Sequence, residues 1–319
     1  MSLPAARSSE PIEVVAGILR DDRGRVLLAQ RPAGKHLAGQ WEFPGGKREP
    51  GEAGPAALAR ELAEELAIRV RESRPWLALT HRYPEITVRL QLYVVEAWEG
   101  RPLGMEGQPL EWFPVPDMHR LPMPAADRPI VRAFGLDARC ALGPDPAEAG
   151  GVAGLLDWAR ARLAGGARLL RLRTQSMDAH ELRRLSRGLG DPVAEAGGKW
   201  LLDDTAERAA EAGADGVHMD GAELDAVSIR PLPDDFLVAA ACRDEQQLER
   251  AGALKLDFVT LPAARSGSAA IDWKGFERLC RCSPLPVYAQ GDAAGVELER
   301  VRACGGFGVA GPNGSGSSA

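Results

Sequence analysis

Three glutamates, Glu61, Glu64 and Glu65, lie close together in the sequence and share one face of a predicted helix over residues 55–66. The opposite face carries alanine and leucine at spacings of three and four residues, which is typical of an amphipathic helix. Like charges four residues apart destabilise a helix by ~0.2–0.5 kcal/mol, and no basic residue stands among the three to pair with them. Unpaired, clustered carboxylates suit a hard divalent cation that also binds phosphate oxygens. The segment therefore predicts metal-dependent chemistry on a phosphate compound.

A glycine-rich turn precedes this helix. The segment 43–47 reads FPGGK, and glycine backbone can approach a ligand or a metal closely because it carries no side chain. Pro55 suits the first turn of the helix because its missing N–H has no partner there in any case. The turn and the helix together predict a site at the start of the acidic face.

The residues from Gly46 to Ile68 resemble the Nudix box, GX5EX7REUXEEXGU, in which U is an aliphatic residue. Every spacing agrees, and Ala67 stands where the family has glycine at the helix end. An alanine there is expected to cost roughly 1 kcal/mol if it must be left-handed, unless the helix ends differently. The segments 30–31, 41–47, 98–100 and 106–112 extend the similarity, over about residues 12–135, to the MutT branch, which hydrolyses oxidised purine nucleoside triphosphates.

The resemblance implies that a nucleoside triphosphate and water give a nucleoside monophosphate and pyrophosphate, with Mg²⁺ or Mn²⁺ as the cofactor. The implied metal ligands are the carbonyl of Gly45 and the carboxylates of Glu61, Glu64, Glu65 and Glu106. The implied substrate contacts are Arg31 with phosphate, Phe43 in the base pocket, and Lys47. Gly46, Glu52 and Arg60 are implied to shape the box, the last two by ion pairing. Family members differ in the general base, and the candidates here are Glu65 and Glu106.

Two positions bear on the base that is recognised. In the MutT branch an asparagine on the proline-rich loop contacts 8-oxoguanine, and the matching residue here is Asp127; a second base contact, arginine in that branch, is matched by Ile86. An ionised aspartate only accepts hydrogen bonds, whereas a buried and protonated one donates as well. We therefore expect 8-oxo-dGTP as the preferred substrate, with Asp127 in place of the asparagine.

After residue 135 the pattern changes to short apolar segments that alternate with helical segments. Eight strand signals predict a small (β/α)8 barrel. They cover residues 139–142, 168–173, 200–202, 216–218, 236–241, 257–261, 286–289 and 307–310.

Within that region, the segments 172–173, 202–204, 213–218 and 286–291 resemble the thiamine phosphate synthase and TenI family of TIM barrels, over about residues 138–311. Candidate site residues near the carboxyl ends of the strands are Arg173, Asp203, Asp204 and His218. The segment 173–175 (RTQ) stands where the family has a lysine, Asp203 replaces an asparagine, and Asp204 matches a metal-binding aspartate. Glu223 replaces a second metal-binding aspartate and Asp292 a phosphate-binding glycine, and the phosphate loop shrinks to residues 262–267. We expect a barrel without synthase activity. The alternatives are a bifunctional protein whose barrel makes thiamine phosphate, and a barrel that binds a ligand as a regulatory module.

Length and composition set the remaining expectations. The chain has 319 residues, which predicts two domains: a Nudix α/β/α sandwich with a mixed sheet at 1–135, a linker with the first barrel strand at 136–152, the barrel at 153–311 and a flexible tail at 312–319. No apolar stretch reaches ~18 residues and no signal peptide is evident, so we expect a cytoplasmic protein without a membrane partner. A net charge of −6 argues against direct DNA binding. The sequence predicts no particular oligomeric state.

Overall fold

The computed structural model describes residues 10–34, 37–263, 271–291 and 297–312. The chain divides into two compact units, Met1–Val131 and Arg132–Ala319. Among the described residues, no helix is both long and apolar enough to cross a membrane. The five cysteines are all free thiols.

The first unit combines two sheets with one long helix. In its described part, a mixed sheet has the strand order β4-β1-β6-β5, with β1 and β6 parallel, and an antiparallel sheet has the order β3-β2-β7. The expected mixed sheet is thereby confirmed. The elements are β1 (Ile12–Leu19), β2 (Val26–Gln30), β3 (Trp41–Glu42), β4 (Gly45–Lys47), α1 (Gly54–Leu66), β5 (Arg69–Arg82), β6 (Thr87–Glu99), β7 (Leu110–Phe113) and, across the unit boundary, α2 (Arg128–Ala133).

Helix α1 is held by its apolar face. Leu58, Leu62 and Leu66 are fully buried in one cluster with residues of β1 and β6, which leaves the acidic face away from the core. Pro55 lies in the first turn, as expected. The helix ends at Ala67, which adopts the left-handed conformation with φ of 54° and donates its N–H to the Ala63 carbonyl at 3.1 Å. Alanine therefore takes the backbone conformation for which the family uses glycine.

The second unit is a closed barrel of parallel strands in the order β10-β11-β12-β13-β14-β15-β8-β9. All eight expected strands are confirmed within about two residues at each end. The elements are β8 (Arg139–Leu142), α3 (Pro146–Ala149), α4 (Gly151–Ala164), β9 (Leu169–Arg173), α5 (Ala179–Glu195), β10 (Lys199–Asp203), α6 (Ala206–Glu211), β11 (Gly216–Met219), α7 (Gly221–Ala226), β12 (Leu237–Ala241), α8 (Glu245–Ala253), β13 (Phe258–Pro262), α9 (Trp273–Cys282), β14 (Val287–Gln290), α10 (Leu298–Ala303) and β15 (Gly308–Gly311).

Some expected features of the barrel lie outside the described residues. These are Asp292, the segment 264–267 of the shortened loop and the tail from residue 313.

Candidate active site

A cavity of about 860 Å³ opens in the first unit. Two groups of residues that line it bear on its chemistry. The first comes from β4, α1 and the segment before β7 and comprises Gly45, Gly46, Lys47, Glu65, Glu106 and Gln108. The second comes from the ends of β2 and β3, the turn between β5 and β6 and the proline-rich loop, and comprises Arg31, Glu42, Phe43, Tyr83, Ile86 and Asp127.

The glycine pair of β4 brings backbone against the acidic helix. Gly45 has φ of +150°, and a Cβ there would lie 2.1 Å from the Val15 carbonyl oxygen of the neighbouring strand. A Cβ on Gly46 would lie 2.2 Å from a carboxylate oxygen of Glu61. Gly45 therefore needs glycine because backbone atoms fill the space, whereas a side chain at Gly46 would displace the Glu61 carboxylate.

Glu65 is a partly buried carboxylate on the acidic face of α1. Its carboxylate accepts a hydrogen bond from the Gly45 N–H at 3.0 Å. Burial raises the pKa of Glu65 to about 7, and the carboxylates of Glu42, Glu61 and Glu106 add to the increase. Because those carboxylates act on Glu65 electrostatically, the cavity concentrates negative charge around it.

Arg60 pairs with Glu52, as the resemblance implies, and also with two carboxylates of the helix, which the sequence analysis did not predict. It binds both oxygens of Glu52, at 3.1 and 3.0 Å, and donates to the Lys47 carbonyl at 3.0 Å. It also lies 2.9 Å from Glu61 and 3.5 Å from Glu64. The expectation that the helix carboxylates are unpaired is therefore wrong for Glu61 and Glu64. The long arginine side chain reaches along the helix to both of them.

The chemistry of this donor set fits a hard divalent cation. Carboxylate and carbonyl oxygens are the ligands such ions prefer. The mutual repulsion that raises the pKa of Glu65 is the interaction that a bound cation would relieve. In the described residues, no three histidine, cysteine, aspartate or glutamate side chains converge into a ready-made metal site. A cation would thus draw these carboxylates together and displace the Arg60 contacts of Glu61 and Glu64.

Asp127 is buried at the other polar group of the cavity, with 4% of its surface exposed. Burial raises its pKa to about 8; Glu42 raises it further, while Arg31 and Arg128 lower it. The side chain is therefore mostly a neutral carboxylic acid near pH 7. Arg31 forms an ion pair with Glu42. The Tyr83 hydroxyl is hydrogen-bonded to the backbone of Ala126, next to Asp127.

The cavity residues that were not sequence candidates include Glu42, Tyr83 and Gln108. Glu42 directly precedes the FPGGK segment, and Gln108 follows Glu106 by two residues, so both stood beside motifs that were recognised. Tyr83 lies in the turn between β5 and β6, where the sequence carries no chemical pattern. Ile86 lines the cavity from the same turn and is 44% exposed.

The barrel candidates occupy a different electrostatic setting. Arg171, near the end of β9, binds both oxygens of Asp203 at 2.6 and 2.9 Å and also the Gln290 side chain at 2.7 Å. Asp204 accepts from the Thr174 hydroxyl at 2.8 Å and from Arg208 at 3.0 Å. Both aspartates thus have cationic and hydrogen-bonding partners within the protein.

The remaining two barrel candidates differ in exposure. His218 is buried, its Nε2 lies 3.0 Å from the Thr260 hydroxyl and its Nδ1 lies 3.8 Å from Asp203. Burial, reinforced by Arg171, holds the pKa of His218 well below its usual value, so the ring is neutral. Arg173 is exposed to solvent at the end of β9. The structure therefore brings His218 and Asp203 together inside the barrel.

Two family models match separate parts of the chain. A family model described as a NUDIX domain matches residues 15–133. A relative named 8-oxo-dGTP diphosphatase from Escherichia coli is 35% identical over 120 residues, which cover 38% of this chain and 93% of the relative. The chain is a Nudix hydrolase. A second model, described as thiamine monophosphate synthase, matches residues 146–314, so the chain belongs to that family as well through its C-terminal domain.

Two further relatives match the Nudix domain. An 8-oxo-dGTP diphosphatase of Haemophilus influenzae is 40% identical over 101 residues, covering 32% of this chain and 74% of the relative. A CTP pyrophosphohydrolase of Escherichia coli is 39% identical over 123 residues, covering 39% of this chain and 90% of the relative. The Nudix domain is therefore similar both to proteins named for 8-oxo-dGTP and to a protein named for CTP.

Proposed function

We propose that the Nudix domain hydrolyses 8-oxo-dGTP to 8-oxo-dGMP and pyrophosphate, and so removes an oxidised nucleotide from the pool. The observation that carries the proposal is the cavity itself. It joins an acidic group around Glu65 to a buried, neutral Asp127, with Glu42 acting electrostatically on both. A nucleoside triphosphate needs both features, because its phosphates bind through a cation and its base through directional hydrogen bonds.

Five groups would hold Mg²⁺, or Mn²⁺ in its place: the carbonyl of Gly45 and the carboxylates of Glu61, Glu64, Glu65 and Glu106. When bound, the cation neutralises phosphate oxygens and lowers the pKa of a coordinated water. Lys47, which lines the same part of the cavity, supplies a further positive charge for the phosphates. Arg31 faces the cavity from the other polar group, and phosphate binding there competes with its ion pair to Glu42.

Glu65 takes the proton of the attacking water. Its partly buried carboxylate lines the cavity, and a general base must lie within hydrogen-bond reach of the proton that it takes. The Gly45 N–H orients one of its oxygens at 3.0 Å. Glu106 is the alternative base, since it lines the same cavity and acts electrostatically on Glu65.

Asp127 reads the base as a neutral acid. A neutral carboxyl group offers one donor and one acceptor side by side. The 8-oxoguanine edge presents a matching pair, the N7–H donor and the O6 acceptor, whereas guanine presents two acceptors there. The buried acid therefore favours the oxidised base over guanine without needing an asparagine.

Cytosine nucleotides are a second substrate class whose base is complementary to the neutral Asp127 side chain. Cytosine places the N4 amino donor beside the N3 acceptor, which is also complementary to a neutral carboxyl group. The relative named CTP pyrophosphohydrolase, which this chain matches at 39% identity, favours this candidate. The substrate panel must therefore include CTP and dCTP.

Release of pyrophosphate by the purified full chain with Mg²⁺ tests the proposal, with 8-oxo-dGTP, dGTP, CTP and dCTP compared at equal concentration. We expect 8-oxo-dGTP to have the highest kcat/KM, well above that of dGTP. A higher kcat/KM for CTP would replace the substrate and keep the chemistry. Absence of pyrophosphate release with every nucleotide of the panel would overturn the proposal.

We further propose that the barrel makes no thiamine phosphate. Two observations support this: the Arg208 and Thr174 contacts of Asp204, the position that matches a family metal ligand, and the Arg171 ion pair of Asp203. A coupled assay with both thiamine precursors should give no product. Product formation would make the protein bifunctional, whereas thermal stabilisation by a ligand without turnover would make the barrel a regulatory module.

The cellular setting follows from the substrate. We place the enzyme in the cytoplasm, where nucleotide pools and free thiols such as its five cysteines occur together. We expect no direct binding to DNA because the chain carries a net charge of −6.

A further inference from the structure

The segment between β6 and β7 is fastened to the end of the acidic helix. The Leu103 N–H donates to the Leu66 carbonyl, and the Met105 N–H donates to the Glu65 carbonyl, each at 3.0 Å. The last carbonyls of a helix have no partner within the helix, so these contacts satisfy groups that the fold must otherwise leave to water. The segment carries Glu106, which therefore enters the cavity from a backbone tied to α1.

Gln108 completes this attachment with its side chain. The Nε2 amide donates to the Glu65 carbonyl at 3.1 Å, and the Oε1 oxygen accepts from the Glu106 N–H at 2.8 Å. The residue is 7% exposed, so both hydrogen bonds are largely shielded from water. One side chain thus links the backbones of the two glutamates that are candidates for the general base.

Close packing of the backbone keeps Gln108 in this place. A Cβ on Gly104 would lie 2.1 Å from the Gln108 carbonyl oxygen, and Gly107 has φ of +77° in the turn between them. The Gly107 N–H donates to the Gly104 carbonyl at 3.1 Å. The turn therefore leaves the amide of Gln108 facing the helix end and the Glu106 N–H.

We propose that Gln108 is a positioning residue, which holds Glu106 beside Glu65 and thereby sets the affinity of the acidic group for a divalent cation. The inference rests on the proposed function, since it concerns the cation that the reaction uses. Glu65 and Glu106 line the same cavity and carry like charges, so they repel each other before a cation binds. The Gln108 link opposes their separation before the cation arrives.

Gln108→Met in the full chain removes both hydrogen bonds at nearly constant side-chain length. Loss of a residue that orients metal ligands typically costs 10- to 100-fold in metal affinity or activity. We expect the Kd for Mn²⁺, measured by calorimetry without nucleotide, to rise by roughly 10-fold or more. The Mg²⁺ concentration for half-maximal hydrolysis should rise in parallel, while KM for the nucleotide at saturating Mg²⁺ stays nearly unchanged.

Gln91→Met is the matched control. Gln91 also makes two side-chain hydrogen bonds, to Glu13 at 2.7 Å and with Tyr93 at 3.1 Å, but it does not line the cavity. This variant should keep the Mn²⁺ affinity of the unchanged protein even if its Tm falls. Gln108→Asn, which is too short to reach both partners and keeps the polarity, should weaken Mn²⁺ binding in the same direction as Gln108→Met.

The inference is overturned if the folded Gln108 variants bind Mn²⁺ as tightly as the unchanged protein, or if Gln91→Met weakens binding equally. Failure of the proposed function is a separate result. In that case the unchanged protein releases no pyrophosphate from any nucleotide of the panel, whatever its Mn²⁺ affinity.

Discussion

The candidate sites of the two domains hold their carboxylates in very different surroundings. In the Nudix domain, Glu65 is buried beside other carboxylates, and the Gly45 N–H is the hydrogen bond that lowers its pKa. In the barrel, Asp203 binds Arg171 through both oxygens, and Asp204 binds Arg208 and Thr174. The barrel aspartates have arginine partners, whereas the side-chain charges that shift the pKa of Glu65 are all carboxylates.

Repulsion among neighbouring carboxylates distinguishes a candidate cation site from an acidic cluster that is paired within the protein. Carboxylates that repel one another are costly for the fold, and the cost is removed when a cation binds. Carboxylates that already have arginine partners gain less, because a cation must first displace the arginine, as it must displace Arg60 from Glu61 and Glu64. The family position of Asp204 alone would have suggested a second metal site, but its partners argue for a structural role.

The largest expected effect is on the proposed general base. Glu65→Gln removes the proton acceptor and keeps the shape, so kcat for pyrophosphate release should fall by roughly 10²- to 10⁴-fold. Steady-state kinetics with saturating Mg²⁺ measures this loss. Near-normal turnover by Glu65→Gln would eliminate Glu65 as the base and leave Glu106 as the candidate.

The next largest effect concerns the barrel. Arg171→Met leaves Asp203, whose side chain is 12% exposed, without its counter-ion, and breaking such a buried pair typically costs about 3–5 kcal/mol. Differential scanning calorimetry of the full chain should show a lower Tm for the barrel with unchanged pyrophosphate release. Arg173→Met is the control, since that side chain is exposed and the change should stay within about 0.5 kcal/mol. Equal effects of the two substitutions would mean that the Arg171–Asp203 pair is not structural.

The third prediction is a pH dependence of substrate selectivity. The pKa of Asp127 is about 8, so the neutral acid predominates below that pH and is lost above it. The ratio of kcat/KM for 8-oxo-dGTP to that for dGTP should fall several-fold between about pH 8 and about pH 9. Asp127→Asn keeps a donor and an acceptor at every pH, so its ratio should stay constant. If both proteins show the same pH profile, Asp127 does not read the base.

The same residue links pH to stability. The folded pKa of about 8 lies above the ordinary value of 3.8, so between these values the folded protein holds a proton that the unfolded chain has lost. The free energy of unfolding therefore decreases as pH rises through this window, by at most about 1.4 kcal/mol per pH unit for one proton. The Tm of Asp127→Asn relative to the unchanged protein should accordingly increase from about pH 5 to about pH 8.

The smallest effect is expected at the end of α1. Ala67 has φ of 54°, which costs a residue with a Cβ about 1 kcal/mol relative to glycine. Ala67→Gly should raise the free energy of unfolding of the Nudix domain by roughly that amount, as measured by chemical denaturation. A loss of stability would show that the flexibility of glycine in the unfolded chain outweighs the relief of strain.

Much of this architecture could be predicted from the sequence because local patterns decide it. The eight barrel strands follow from short apolar segments, and α1 follows from leucines at helical spacing. Helices α7 and α9 lie between barrel strands, as the alternating pattern predicts. Asp220 and Glu223 form a capping box at the start of α7, and the Asp272 side chain caps α9.

The contacts of the site were less predictable because they depend on side-chain reach and on tertiary packing. The pairing of Arg60 with Glu61 and Glu64 follows from the rotamer of a long side chain, which spacing alone does not fix. The Gln108 link joins Glu106 to Glu65 across more than forty positions. The neutral state of Asp127 depends on burial by the surrounding fold, so the sequence allowed either charge state.

Binding of Mn²⁺ to the full chain tests the contrast between the domains most directly. Isothermal titration calorimetry would compare the unchanged protein with Glu65→Gln and with Asp204→Asn, without nucleotide. The account predicts that Glu65→Gln weakens Mn²⁺ binding strongly and that Asp204→Asn leaves it unchanged. Loss of binding in Asp204→Asn, with binding retained in Glu65→Gln, would place the cation in the barrel and contradict the account.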